Sequence, residues 1–215
     1  MWNHLIKKKS EPNGLLNFNA RVHIEHPNAM GIFQANLSLF LAHLYERSAE
    51  LIILCIGTDR STGDSLGPLT GSKLEQLDLG NTHIFGTLDN PVHAVNLQDI
   101  IQQIEGDYQN PFIIALDACL GRSESVGYIS IKEGPLQPGT GVNKNLPAIG
   151  HIHIIGIVNV GGFMEYMVLQ NTRLSLVMKM AEVISQGLFR EIQKLPLPEP
   201  ALLDSVIIPG EPLTT

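Results

Sequence analysis

The stretch "LIILCIGTDRSTGDSLGPLTGSKLEQL", residues 51–77, decides how this chain is read. Its first part is a continuous apolar run of strand length, as expected of a strand buried on both faces. Its last part, from Gly67, has the spacing of a helix. The loop between them carries Asp59, Asp64 and several glycines, and no bulky apolar anchor. A buried strand that passes through such a loop into a helix opens a strand–helix–strand unit.

Downstream the pattern alternates. "THIFGTL" (82–88) is a second short strand, and "VHAVNLQDIIQQIE" (92–105) repeats Val95, Ile100, Ile101 and Ile104 at helical spacing. "PFIIALDA" (111–118) is a third buried strand. This order predicts a parallel sheet with crossover helices. Only "CLGRSESV" separates the third strand from "GYISIKEG" (127–134), too few residues for a parallel return, so the fourth strand is expected antiparallel to the third. "HIHIIGIVNV" (151–160) is a fifth strand. "MEYMVLQNTRLSLVMKMAEVISQGLFREIQ" (164–193) reads as long helix, broken near Asn171.

Upstream, Ile32, Phe33, Leu37, Phe40, Leu41 and Leu44 follow the 3, 4, 7 spacing of an amphipathic helix, with Asn28 at a cap position. The expected fold is α/β, a three-layer sandwich with a mixed, mostly parallel sheet. The expected organisation is an irregular N-terminal lead-in over 1–28, one α/β domain over 29–195, and a Pro-rich C-terminal tail over 196–215.

The 215 residues suit one ordinary domain. A net charge of −7 argues against a nucleic-acid partner, and the run Lys7–Lys9 is too isolated to change that. No apolar run approaches the ~18 residues of a membrane span, and the N-terminus lacks the apolar stretch of a secretory signal. The two cysteines, Cys55 and Cys119, end apolar runs, where free Cys serves as a small hydrophobe. These features predict a cytoplasmic protein.

In open α/β sheets, sites form beyond the carboxyl ends of strands where the strand order reverses. The loops after the first and third strands, "GTDRSTGDSLGP" and "DACLGRSES", bring Asp64 and Asp117 to such a crevice. Each acid alone would also serve as a cap or turn residue. The first loop is not a P-loop, since G-x-x-x-x-G-K-[ST] is absent and two carboxylates repel phosphate. "GDSL" (63–66) would make Ser65 a nucleophile in GDSL esterases. Here it lies several residues past the strand end, and the C-terminal tail offers no histidine as base.

"GTDRSTGDSLGP", "GTLDNPVHAVNL", "LDACLGR", "LQPGTGVNKN", "IIGIVNV" and "GGFMEYMVLQNTRL" occur in an order that resembles the YyaC-type sporulation proteins, over roughly residues 51–188. That group is similar to the spore germination protease and, more widely, to the hydrogenase maturation endopeptidases. The resemblance implies a sporulation-associated peptidase in the forespore or mother cell, with Asp64 and Asp117 as its active pair and a protein or peptide substrate. It also matches "PGTGV" to a protease motif, which implies Gly139, Thr140 and Gly141 at the substrate. Asp59 and Arg60 depart from the protease loop.

Two nearby carboxylates suit peptide hydrolysis, because like charges disfavour double ionisation and leave one acid protonated. Arg60 or Arg122 would tune one acid or orient substrate. No cofactor is needed for such a dyad. An alternative recruits His93, after the second strand, with Asp64 and Asp117 to hold Zn²⁺ or Ni²⁺. A third reading keeps the crevice as a non-catalytic peptide or metal binder. His151 and His153 begin the fifth strand and are read as core or edge residues, as is His83; His23 and His26 have no visible partner. A homo-oligomer is left open.

Overall fold

The computed structural model describes residues 20–46, 49–138 and 146–195. Its elements are β1 (Ala20–His23), α1 (Ala29–Leu44), β2 (Glu50–Cys55), α2 (Leu66–Glu75), β3 (His83–Phe85), α3 (Leu97–Asp107), β4 (Pro111–Gly121), β5 (Tyr128–Glu133), β6 (Ile152–Val160), α4 (Glu165–Gln170) and α5 (Leu174–Ile192). The six strands form one sheet in the order β1-β5-β6-β4-β2-β3. β3, β2, β4 and β6 run parallel, while β5 is antiparallel to β6 and β1 to β5.

The sheet is mostly parallel because its central strands are apolar on both faces. Leu51, Ile53 and Cys55 of β2 join Phe112, Ile114 and Leu116 of β4 in a core packed against α1, α2 and α5. Ile52, Leu54 and Ile56 join Ile113 and Ala115 in a second core under Leu97, Ile101 and Ile104 of α3. Each side chain so buried contributes about 1.5–3 kcal/mol, and each requires a cover on its own face. The result is the expected three-layer α/β sandwich.

Several details differ from the sequence reading. The lead-in is not irregular throughout: Ala20–His23 form an edge strand on β5. The fourth strand, β5, does run opposite to β4, but β6 lies between them. The third strand continues through Gly121, because its far half pairs with β6. Val95 stands outside α3 and is 79% exposed; the buried stripe starts at Leu97. The break near Asn171 is real and separates α4 from α5. The expected tail, 196–215, lies outside the described residues.

The order of the strands reverses beside β2. From β2 the chain crosses through α2 to β3 on one side, then through α3 to β4 on the other. α2 and α3 cover opposite faces. The carboxyl ends of β2 and β4 therefore flank the switch point at which sites form in open sheets of this kind.

Candidate active site

Asp117 owes its position to strand lengths. β2 ends at Cys55, which pairs with Leu116, and the Ile56 N–H donates to the Leu116 carbonyl at 2.7 Å. Asp117 is the first residue of β4 past that step, paired with Ile155 of β6 on its other side. By alternation it follows Ile113 and Ala115 onto the face that carries α3. Its Oδ1 accepts the Ala118 N–H at 2.8 Å.

Asp64 comes to the same edge through a 3-10 turn, Thr62–Ser65. The turn folds back so that the Thr58 N–H donates to the Asp64 carbonyl and the Asp64 N–H to the Ser61 carbonyl, both at 3.0 Å. Two glycines permit this. Gly57 has φ +145, and a Cβ there would run into the Asp64 carbonyl oxygen; a Cβ at Gly67 would run into the Ile56 carbonyl. The turn also packs under α4, with Gly63 against Leu169 and Thr172. The Thr172 hydroxyl donates to the Val168 carbonyl at 2.9 Å, and the Asn159 amide donates to both.

His93 enters from the exit of β3. Ile56 forms a parallel bridge with Val92, and the Gly57 N–H donates to the Val92 carbonyl at 2.8 Å. Asn96 Oδ1 accepts the His93 N–H at 2.8 Å, and His93 Nδ1 accepts the Val95 N–H at 3.3 Å. With Nδ1 used as an acceptor, the neutral ring carries its proton on Nε2.

The electrostatics tie the three side chains together. Burial, then the charge of Asp64, push the carboxyl of Asp117 well above the usual range; the Ala118 N–H opposes this weakly. Burial also pushes Asp64 up, and the charge of His93 pulls it partly back. Both acids therefore favour the protonated form more than free carboxyls do, as two like charges sharing a half-buried crevice must. Carboxyls pushed up in this way suit acid/base chemistry near neutral pH. Ser61 Oγ, beside the turn, is buried without a hydrogen-bond partner among the described residues, an arrangement that costs about 1–3 kcal/mol.

Other predicted residues fall elsewhere. Asp59 and Arg60 are exposed at the tip of the loop, and Arg122 is exposed after β4. Gly139, Thr140 and Gly141 lie outside the described residues. Ser65 is buried and its hydroxyl donates to the Thr62 carbonyl at 2.7 Å, so it braces the turn and presents no nucleophile. His151 and His153 stand at the opposite edge, as expected. His151 Nδ1 accepts the Ile113 N–H and its ring stacks on Phe112, and His153 Nδ1 contacts the Gly134 carbonyl at 2.8 Å. A cavity of about 220 Å³ also opens at that edge, between Ile101, Phe112, Glu133 and His151, away from the acids.

A metal reading asks three donors to converge. Among the described residues no three His, Cys, Asp or Glu side chains are grouped closely enough to hold an ion.

Cys119, read from the sequence as a small hydrophobe, stands two residues from Asp117 and is half-buried. Burial, followed by the charge of Asp117, pushes its thiol up to about 11. The sequence reading passed over Arg21, which stands on β1. The alternation Arg21, Val22, His23, Ile24 is a period-two signal that would have found that strand.

Comparison with known proteins places these features in a lineage. A family model described as "Protein of unknown function (DUF1256)" matches residues 21–187. The protein named "Uncharacterized protein YyaC" of Bacillus subtilis (strain 168) is 53% identical over 177 residues, 81% of this chain and 86% of that one. The crystal structure of a [NiFe] hydrogenase maturation protease, HycI from Thermococcus kodakarensis KOD1, superposes on 73% of this chain and 98% of that one. Its sequence identity is 14% and its TM-score 0.49.

Proposed function

We propose, from the premise that this chain belongs to the DUF1256 family, that it is a sporulation-associated peptidase whose Asp64 and Asp117 hydrolyse a peptide bond. The observation that supports this reading is a pair of partly buried carboxyls, both pushed up by burial, with the charge of Asp64 adding to the push on Asp117. They come from separate segments, Asp64 from the turn after β2 and Asp117 from the part of β4 that runs past β2.

The ionised member of the pair accepts a proton from water as its oxygen bonds to the carbonyl carbon. The protonated member donates to the carbonyl oxygen. Collapse of the tetrahedral species breaks the C–N bond, and the proton passes to the departing nitrogen. The pair titrates as a unit, so neither proton belongs to one residue alone. The close-packed backbone around Gly57 and Gly67 holds Asp64 against the end of β2, which pre-positions the acid.

The test is cleavage of a peptide library by the wild type and by Asp64→Asn, Asp117→Asn and Asp59→Asn, with thermal melts beside it. Loss in the first two and retention in the third supports the dyad. A wild type that cleaves nothing at any pH or with any added metal leaves the crevice as a binding site. Its place in the cytoplasm of the forespore or mother cell belongs to the same proposal and is checked by localising a tagged chain during sporulation.

A further inference from the structure

One row of residues crosses the sheet from the acid pair to its far edge. Asp117 of β4 pairs with Ile155 of β6, Ile155 with Ser130 of β5, and Ser130 with Arg21 of β1. Paired residues share a face, so all four side chains project on the side of the sheet that carries α3. The adjacent row on that face runs from Ala115 through His153 to Lys132. α3 packs on the β2 and β4 half, where Leu136, Leu146 and Ile149 join the same core and Ile155 of β6 stands at its margin. Among the described residues no helix packs on the β6, β5 and β1 half of this face, because α1 and α5 contact those strands from the other side.

This half of the face, as far as the described residues show it, ends in two cations. Arg21 and Lys132 are exposed, and neither forms an ion pair among the described residues. The Arg21 guanidinium lies 4.4 Å over the Tyr128 ring, which limits its rotamers while its N–H groups stay available. On a chain of net charge −7, a pair of unpaired cations in line with two carboxyls makes a polarised surface. Negative charge is repelled at the acid end and attracted at the β1 end.

We propose that this open sheet face is the substrate groove, and that Arg21 and Lys132 form a subsite for an acidic side chain of the peptide. The inference rests on the peptidase reading only for what happens at Asp117. Three strand spacings of about 4.8 Å set Arg21 roughly 14 Å from Asp117. An extended peptide spans that in about four residues at ~3.3 Å each, so the Asp or Glu side chain stands about four residues from the bond cut. The half-buried Ile155 and the buried Ser130 lie in the sheet between the two ends.

The experiment separates binding from turnover. Two fluorescein-labelled random peptide pools, alike except for Glu or Gln at one central position, are titrated into the full chain carrying Asp117→Asn and followed by anisotropy. The Glu pool is expected to bind about five- to tenfold more tightly at low salt, an advantage that shrinks as salt is raised. Arg21→Ala with Lys132→Ala abolishes the advantage, Arg21→Lys retains it, and Lys132→Ala alone halves it or more should the Arg21 change unsettle β1. Equal binding of the two pools, or an advantage that survives the double change, overturns the subsite. A Glu advantage without cleavage by the wild type leaves the subsite standing and removes the peptidase; cleavage without charge preference does the reverse.

Discussion

The charge of Asp64 helps to hold Asp117 in its protonated form, although 53 positions separate them in the chain. Burial is the larger cause and would act on Asp117 alone; the contribution of Asp64 is what makes the two acids one site. A single carboxyl at the step in the sheet would be a desolvated liability. A coupled pair is a proton-transfer device.

Asp64→Asn and Asp117→Asn are each expected to lower kcat/KM for peptide cleavage by about 10²–10⁴-fold, the usual loss for an acid/base group. Asn keeps the shape of Asp but transfers no proton. Asp59→Asn, at an exposed loop tip, should stay within about twofold of the wild type. Steady-state cleavage assays decide the matter, and a dead Asp59→Asn beside a live Asp64→Asn would move the catalytic acid to the first aspartate of the loop.

Stability should fall with rising pH through this pair. Both carboxyls have folded-state pKa values raised above their unfolded ones, so each is a weaker acid in the native state. The native state therefore holds more protons than the unfolded one between those limits, and it is favoured fully only below the unfolded value near 3.8. Asp117→Asn removes the penalty, so its melting temperature at neutral pH should exceed that of the wild type. The gap should close towards acid pH. Each ~1 kcal/mol is about 2–4 °C for a chain of this size, within reach of melts across a pH series.

Removal of the imidazole should act on Asp64. The charge of His93 pulls that acid down, so His93→Gln should let it rise further and shift the acidic limb of the pH–rate profile upward. In the dyad reading, incubation with a chelator leaves the wild-type rate unchanged. Activity that disappears with chelator and returns with Zn²⁺ or Ni²⁺ would instead make His93 a ligand.

Gly57→Ala tests the loop as a positioning device. The substitution forces a side chain into a φ of +145 and against the Asp64 carbonyl. Backbone strain of that kind costs of order 1–3 kcal/mol, and it falls on the turn that carries the acid. The expected result is a large loss of kcat with a modest drop in melting temperature. Ser65→Ala, by contrast, removes only the bond to the Thr62 carbonyl. It should cost about 1 kcal/mol of stability and leave cleavage in place.

Much of the layout was legible in the chain itself. Buried parallel strands declare themselves as uninterrupted apolar runs, and "LIIL" and "PFIIAL" became β2 and β4. The helical stripes of α1 and α5 were equally plain, because burial on one side demands a 3.6-residue period. Glycines around two aspartates between a strand and a helix pointed to Asp64, and an aspartate at the end of an apolar run pointed to Asp117. These are local signals, set by which side chains need water and which need its absence.

Other features were decided only in three dimensions. β6 entered the sheet between β4 and β5, a choice that depends on which edges were still unpaired and not on any residue's own preference. That choice extended β4 past β2 and placed Asp117 at a step beside Ile56, inside the strand and not in the loop after it. β1, four residues long, was recruited by the free edge of β5. Its arrival set Arg21 in one row with Asp117. The acidities of Asp64 and Asp117 were likewise absent from the sequence, since burial and the approach of a second charge exist only once the chain has folded around them.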